Sequence, residues 1–370
     1  MFHQADGSEH VAEESILNRL PLTLLLVLAL ASPGHGAEES AGPQTWPLFE
    51  NQDVLHVRIE APLKTLMRER SDTEYLEGKL AYTDAAGLEH VLDLKLRARG
   101  KYRAQSRVCD LPPIRLNFKK KQVIGTEFAG QDKLKLVTHC QNGRAMYEQY
   151  VLKEYLAYRI FNIMTDLSFR VRLLRVDYVD VERDGETDTR YAFVIEDDDV
   201  LAERIRAPVL EVPHIQRSQL DARYAALVSV FEYLIGNTDY SLIVGAKNDD
   251  CCHNAVLFAK ESEGYLAIPY DFDFAGLVDA SYASPNPKLP IRKVTRRLYR
   301  GVCEHNDELG PVLENFREKR PDILGLVSSM EGLEEKMRDK ALSFLDGFYR
   351  DIADQESVDR YIVRKCQGKD

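Results

Sequence analysis

Polar and apolar positions alternate in short runs along the first half of the chain and recur at helical spacing along the second. Residues 54–59 (VLHVRI) and 91–103 alternate with period two, as half-buried strands do, and 61–69 fits a short helix between them. Pro112-Pro113 opens a strand that runs to Phe118 (IRLNF), and 132–138 (DKLKLVT) reads as another. Across 147–163 the apolar residues follow helical spacing, with Tyr147, Val151, Tyr155 and Tyr158 near one face, which predicts a long helix. The runs 171–180 and 190–196 are rich in β-formers, and Arg183-Asp184-Gly185-Glu186 between them carries the Asp-Gly hairpin signal. Beyond Glu196 the pattern turns helical, at 219–234, 308–319 and 331–354, interrupted by a hairpin at 255–270 that turns at 260–264. The chain therefore divides into a leader at 1–37, a linker at 38–46, a β-rich lobe at 47–199 and a mainly helical lobe at 200–370. That is an α+β class with an antiparallel N-lobe sheet and one long helix, then a helical C-lobe carrying a hairpin.

Composition narrows the partners. With 60 acidic against 49 basic residues the net charge is −11, which argues against a nucleic-acid binder held by phosphate contacts. GxGxxG and GxxxxGK[ST] are absent, so the two simplest nucleotide signatures do not apply. The apolar run 20–31 (LPLTLLLVLALA) is 12 residues long, short for a membrane span but suited to the core of a secretory signal, with Ala29-Leu30-Ala31 as a small-x-small cleavage site. Residues 1–19 carry four acidic side chains and only Arg19, so the expected translation start is further along, near Leu17. Export, to a periplasm or the cell envelope and without a transmembrane helix in the mature chain, makes disulfides expected: Cys109 with Cys140, and Cys251 or Cys252 with Cys303 or Cys366. The spacing of Cys251-Cys252-His253 and His139-Cys140 does not support a zinc site.

The segment from Tyr233 to Gly276 carries the chemistry. A helix ending at Gly236 delivers Asn237-Thr238-Asp239, a loop leads to His253-Asn254, and a hairpin returns to Asp271-Phe272-Asp273-Phe274. Asp, then Asn, then Asp is the set that phosphoryl transfer needs: one carboxylate for the accepting hydroxyl, and oxygen ligands for Mg²⁺ against nucleotide phosphates. Upstream, Arg97, Arg99, Lys101 and Arg103 are spaced by two, so an extended chain would present all four cations on one face as a phosphate contact. Arg292 to Arg300 (RKVTRRLYR) is a second basic cluster, read as the solvated face of a helix or as a contact for an anionic substrate.

The segments LKLRARGKYR, PPIRLNF, RYAFVIEDD, YLIGNTDY, HNAVLF and IPYDFDFAG, in that order, resemble the spore coat protein CotH family across residues 90–280, and the NTD…HN…DFD series is similar to HipA-type kinases. The resemblance implies a two-lobed, atypical protein-kinase-like fold that uses ATP with Mg²⁺ or Mn²⁺. By it, Asp239 is the catalytic Asp, Asn254 and Asp271 hold the metal, and Asp273 is a further ligand. A strand cation on the phosphates, Lys135 or Arg115, would pair with Glu148 or Glu154 of the long helix, and Glu196 would mark the hinge between lobes. The implied activity is transfer of the γ-phosphoryl group of ATP to a hydroxyl of a protein or cell-envelope component. Two departures favour an alternative, a non-catalytic envelope assembly or binding protein: Arg115 and Asn117 stand where the family is lysine-rich, and the loop from Asp239 to Asn254 is enlarged. A metal-dependent phosphoester hydrolase using the same acids is the third reading.

Overall fold

The alternating runs form strands, but the sheet they build closes on itself. The computed structural model describes residues 46–247, 249–260 and 264–368; the expected leader, the linker up to Gln44-Thr45 and the tip of the turn at 261–263 lie outside the described residues. In chain order the elements begin with α1 (Pro47–Glu50), β1 (Leu55–Ala61), α2 (Leu63–Glu69), β2 (Leu76–Thr83), β3 (Glu89–Ala98), β4 (Ile114–Phe118) and β5 (Lys133–Val137). They continue with α3 (Ala145–Met164), β6 (Val171–Asp180), β7 (Glu186–Ile195), α4 (Asp198–Ile205) and α5 (Ala222–Ile235). The remainder is β8 (Ala255–Lys260), β9 (Gly264–Pro269), α6 (Leu309–Glu318), α7 (Arg320–Ser328), α8 (Glu335–Asp351) and α9 (Gln355–Tyr361).

Seven strands form a closed barrel in the order β1-β2-β3-β4-β5-β7-β6. Every neighbouring pair is antiparallel except β1 with β6, which run parallel from Leu55 opposite Leu174 to Ala61 opposite Asp180 and close the ring. This corrects the expected fold class. A closed mixed barrel is not the open antiparallel N-lobe sheet of a two-lobed, kinase-like fold. The closure depends on a pairing between segments more than one hundred residues apart, for which local alternation carries no signal.

Alternation does explain which face is buried. Ile59, Leu80, Leu94, Leu96, Leu116, Leu134, Leu136, Val176 and Val194 belong to one apolar cluster inside the barrel. Strand β6 and the last four residues of β7 are buried on both faces, because Leu173, Phe193 and Ile195 pack into a second core with Tyr155, Tyr158 and Phe161 of α3. Their near-continuous apolar runs follow from that double burial. The β6–β7 hairpin pairs over its whole length, with Asp184 and Gly185 at positive φ of 53° and 76°, as the Asp-Gly pair predicts.

The same second core takes in α5 to α9 and the β8–β9 hairpin, through Phe231, Leu234, Leu266, Ile268, Phe316, Leu345 and Val358. Gln44–Asp370 make up one compact unit. Three disulfides are present: Cys109–Cys140, Cys251–Cys252 and Cys303–Cys366. The first is the expected pair; the other four cysteines pair differently, the two adjacent ones with each other. Among the described residues no helix is long and apolar enough to cross a membrane.

The basic cluster at 292–300 is not a helix. Arg297 stacks on the Phe344 ring at 3.8 Å and donates to Leu234 O at 3.1 Å, at the C-terminus of α5 where carbonyls lack partners. Arg300 donates to Thr238 O and to Tyr240 O at 2.8 Å. Arg297 and Arg300 therefore anchor the loop that carries Asp239, while Arg292, Lys293 and Arg296 are exposed.

Candidate functional site

Asp239 owes its place to the way α5 ends. Gly236 adopts the left-handed conformation, φ 68°, and a Cβ there would meet the Phe344 ring at 2.8 Å. The chain then turns, with Asn237 Oδ1 accepting from the Asp239 amide at 2.9 Å. Ser241 and His253 exchange both backbone hydrogen bonds, at 3.0 and 3.1 Å, which brings the far end of the enlarged loop back onto Asp239. His253 Nε2 lies 3.1 Å from Asp239 Oδ1, and Asn254 Nδ2 donates to Asp239 O at 2.6 Å and to Oδ2 at 3.2 Å. The His253 imidazole is held above its ordinary pKa, chiefly by the hydrogen bond to Asp239, against the opposing effect of burial.

The hairpin returns next to this pair. The Tyr270 amide donates to Asn254 O at 3.0 Å, so Asn254 sits against the residue that precedes Asp271. Asn254 and Asp271 both have positive φ, 52° and 63°, where a non-glycine residue is uncommon and is held only by its surroundings. Asp271 is fixed by its amide donating to Tyr158 Oη at 2.8 Å, and its carboxylate is 44% exposed.

Arg103 is the electrostatic centre of the arrangement. It reaches Glu154 Oε2 at 3.3 Å, Asp273 Oδ2 at 3.2 Å and Asp271 Oδ1 at 3.9 Å, with its own side chain 8% exposed. Burial pushes the Glu154 carboxyl up to about 7, with Arg103 opposing the rise and Asp271 adding to it. Burial raises Asp273 well above the carboxylate range for the same reason. One cation thus faces three carboxyls, and burial favours keeping a proton in the cluster.

Asp239, Asn254, Asp271, Asp273, Arg99, Lys101 and Arg103 all line one cleft of about 650 Å³. Lys101 crosses to Asp249 Oδ2 at 2.6 Å, and Cys251–Cys252 forms part of the wall. Strand β3 ends at Ala98, and Gly100, at φ 82°, turns the chain. The cations at 99–103 therefore reach the cleft from a turn, not from one face of an extended strand.

The other cation candidates are spent elsewhere. Arg97 lies over the Tyr75 ring at 5.1 Å and donates to Asp72 O, away from the cleft. Arg115 pairs with Asp197 at 3.0 Å and Lys135 with Asp198 at 2.6 Å. Glu148 pairs with Arg175 at 2.9 Å. Glu196 is fully buried and bound by Arg204 at 2.8 Å, so it fixes α4 against the end of β7. The Arg99 side chain alone among the candidate cations has no ion pair or hydrogen bond among the described residues, and its buried Nε has no acceptor. Sequence reasoning left His253 unassigned, although it adjoins Asn254, and placed Arg103 in a phosphate-contact face, not at the centre of a carboxyl cluster.

Among the described residues no three His, Cys, Asp or Glu side chains gather as a metal cage. Mg²⁺ does not require one, since it is commonly held by one or two protein oxygens together with phosphates and water. Asp271 and the Oδ1 of Asn254, whose amide nitrogen is engaged by Asp239, fit that use. The Asp273 carboxylate is engaged by Arg103 instead. A hollow of similar volume lies over β1 to β4, but its charges offset one another, as in Lys119–Asp93 at 3.4 Å, and no polar set converges there.

Beneath the Asp239 loop, Glu232 is fully buried and its carboxyl is pushed up to about 8 by burial, with Asn237 and Arg300 pulling it back. A folded-state pKa above the unfolded one means that stability falls as pH rises from about 4.5 to 8. Glu232→Gln is therefore expected to flatten that slope and to raise stability at pH 8 by about 1–3 kcal/mol. Urea unfolding at pH 5 and pH 8 measures it, and an unchanged slope in the variant would remove Glu232 as the cause.

Comparison of the sequence with protein families and with curated proteins returns no match.

Proposed function

We propose that the cleft binds the phosphates of a nucleoside triphosphate, ATP by the similarity of its motifs to the CotH family, and transfers the terminal phosphoryl group to a hydroxyl. The observation that carries the reading is the meeting of Asp239, Asn254 and Asp271 with the unpaired Arg99 in one cleft. Arg99 binds phosphate oxygens through a planar fork that no carboxylate among the described residues holds within 4 Å, although Asp271 lies close enough to act on its charge. Asn254 and Asp271 are the residues that would hold Mg²⁺, which when bound offsets charge on the phosphate oxygens. Asp239 orients the acceptor hydroxyl and takes its proton as the new O–P bond forms. The bond from the terminal phosphorus to the bridging oxygen breaks, and its electron pair leaves with the nucleoside diphosphate. No covalent enzyme intermediate is needed, so the chain's contribution is positioning and electrostatics.

The acceptor in this reading is a hydroxyl of a protein or cell-envelope component outside the cytoplasm. Three disulfides and the apolar run at 20–31 support export. One observation favours the non-catalytic alternative: Lys135 and Arg115 are both neutralised by neighbouring aspartates, which leaves Arg99 as the cleft cation without a carboxylate within 4 Å among the described residues.

Thermal unfolding of the oxidised protein with ATP, with and without Mg²⁺ or Mn²⁺, tests binding. A ligand that binds only the folded state at 100 times its Kd adds about 2.7 kcal/mol. A metal-dependent rise in Tm that Asp271→Ala removes is expected. No rise at millimolar ATP would rule out the nucleotide site, and a rise without turnover would favour the binding protein.

A further inference from the structure

A second, smaller cavity of about 70 Å³ lies behind the Asp239 loop, and its chemistry is one-sided. Arg217, Arg300 and His305 line it, together with Tyr240, Ser241 and Gln367, and no Asp or Glu does. Neither arginine has a carboxylate within 4 Å among the described residues, and Arg217 makes no hydrogen bond there. Arg300 spends one terminal nitrogen on Thr238 O and Tyr240 O, while its Nε is buried without an acceptor. The Tyr240 hydroxyl is also buried, beside the Ser229 hydroxyl, which itself donates to Ala225 O at 2.7 Å. Ser241 Oγ accepts from the Val244 amide at 3.3 Å, which leaves its own hydrogen free to donate.

The nearby acids do not supply what is missing. Asp221 accepts from the Tyr224 amide at 2.7 Å as the cap of α5, and burial keeps Glu232 largely protonated at neutral pH. Buried donors are ordinarily satisfied, and a cavity with two arginines and no carboxylate on its wall favours an anion that accepts from them. At roughly 10–15 Å³ per water-sized probe, the volume fits a group of several heavy atoms.

We propose that this cavity binds a small tetrahedral oxyanion, sulfate or phosphate, between Arg217 and Arg300 with the Tyr240 hydroxyl as a third donor. The site is separate from the cleft, and the proposal does not depend on phosphoryl transfer. Because Arg300 also holds the carbonyls on either side of Asp239, the anion braces that loop from behind.

The test uses the whole oxidised protein carrying Arg99→Gln, which removes the free cation of the main cleft. Tm is followed against sodium sulfate, with sodium chloride holding ionic strength constant. A saturable rise is expected. Adding Arg217→Gln should weaken the apparent affinity at least tenfold, and adding Tyr240→Phe several-fold, each read against that variant's own sulfate-free Tm. A linear, non-saturating rise shared by all the variants is the general salt effect on burial and would overturn the site. A saturable rise that is present in wild type and lost with Arg99→Gln alone would place the anion in the main cleft and overturn it equally.

Discussion

Replacing Arg103 with alanine is expected to remove about 3–5 kcal/mol of stability at pH 8, because it strips the counter-ion from buried carboxyls and replaces it with nothing. Glu154 is 2% exposed and Asp273 7% exposed, and Arg103 is the cation within ion-pair distance of both. The loss should depend on pH in a defined direction. In the wild type the Glu154 carboxyl already sits near 7, above its unfolded value, so stability falls as pH rises towards 7. Without Arg103 the folded-state pKa values of Glu154 and Asp273 move higher still, and the fall becomes steeper and continues further. Near pH 5 the Glu154 carboxyl is protonated in either protein, so the difference between the two proteins shrinks. Arg103→Met retains much of the apolar volume and separates charge from packing. Urea unfolding of wild type and both variants at pH 5 and pH 8 gives the comparison. A loss below about 1 kcal/mol with no pH dependence would show that the cluster is solvated and that Arg103 is not its counter-ion.

The reach of the sequence can be traced through the same residues. Local features were legible: the Asp-Gly turn of the β6–β7 hairpin, the long α3, and α5 ending at Gly236 all follow from periodicity and turn chemistry over fewer than about twenty residues. Strand β2 was not, because Gly78 stands at an inward position where alternation calls for an apolar side chain. Gly78 is there for close approach, since a Cβ would lie 2.6 Å from Glu60 O. The parallel β1–β6 contact that closes the barrel joins segments with no sequence signature for each other, so an open sheet was the natural but incorrect reading. In the site, the order of Asp239, Asn254 and Asp271 survives because each stands at the end of a legible element. The cations did not sort themselves. Period two places Arg97 and Arg99 on one face, whereas the turn at Gly100 sends Arg99 into the cleft and leaves Arg97 on Tyr75. Lys135 and Arg115 looked available only because Asp197 and Asp198 lie some sixty to eighty residues later in the chain.

Asp239→Ala is expected to lower the phosphoryl-transfer rate about 10²–10⁴-fold, the usual contribution of a positioned general base. The nucleotide should bind nearly as before, because the phosphate contact assigned to Arg99 and the metal contacts assigned to Asn254 and Asp271 remain. Asp239 and its histidine also set the pH dependence. While His253 is an imidazolium it donates to Asp239 Oδ1 at 3.1 Å and occupies the oxygen that would take the hydroxyl proton. The histidine pKa is raised, so this hold persists to higher pH than for an ordinary imidazole and is released as pH rises through that value. The rate should therefore climb with pH across the His253 titration, and His253→Gln should abolish the step while leaving turnover in place. The stability contribution of the pair has the complementary sign: it is fully present below the unfolded histidine pKa and is lost as pH rises through the folded one. Single-turnover kinetics with labelled ATP, for the wild type, Asp239→Ala and His253→Gln between pH 6 and 9, separate these effects. Equal rates in Asp239→Ala and wild type would remove the base from the mechanism. An unchanged step in His253→Gln would assign the titration to the Glu154–Arg103–Asp273 cluster, whose Glu154 carboxyl, near 7, lies behind the cleft wall at Arg103.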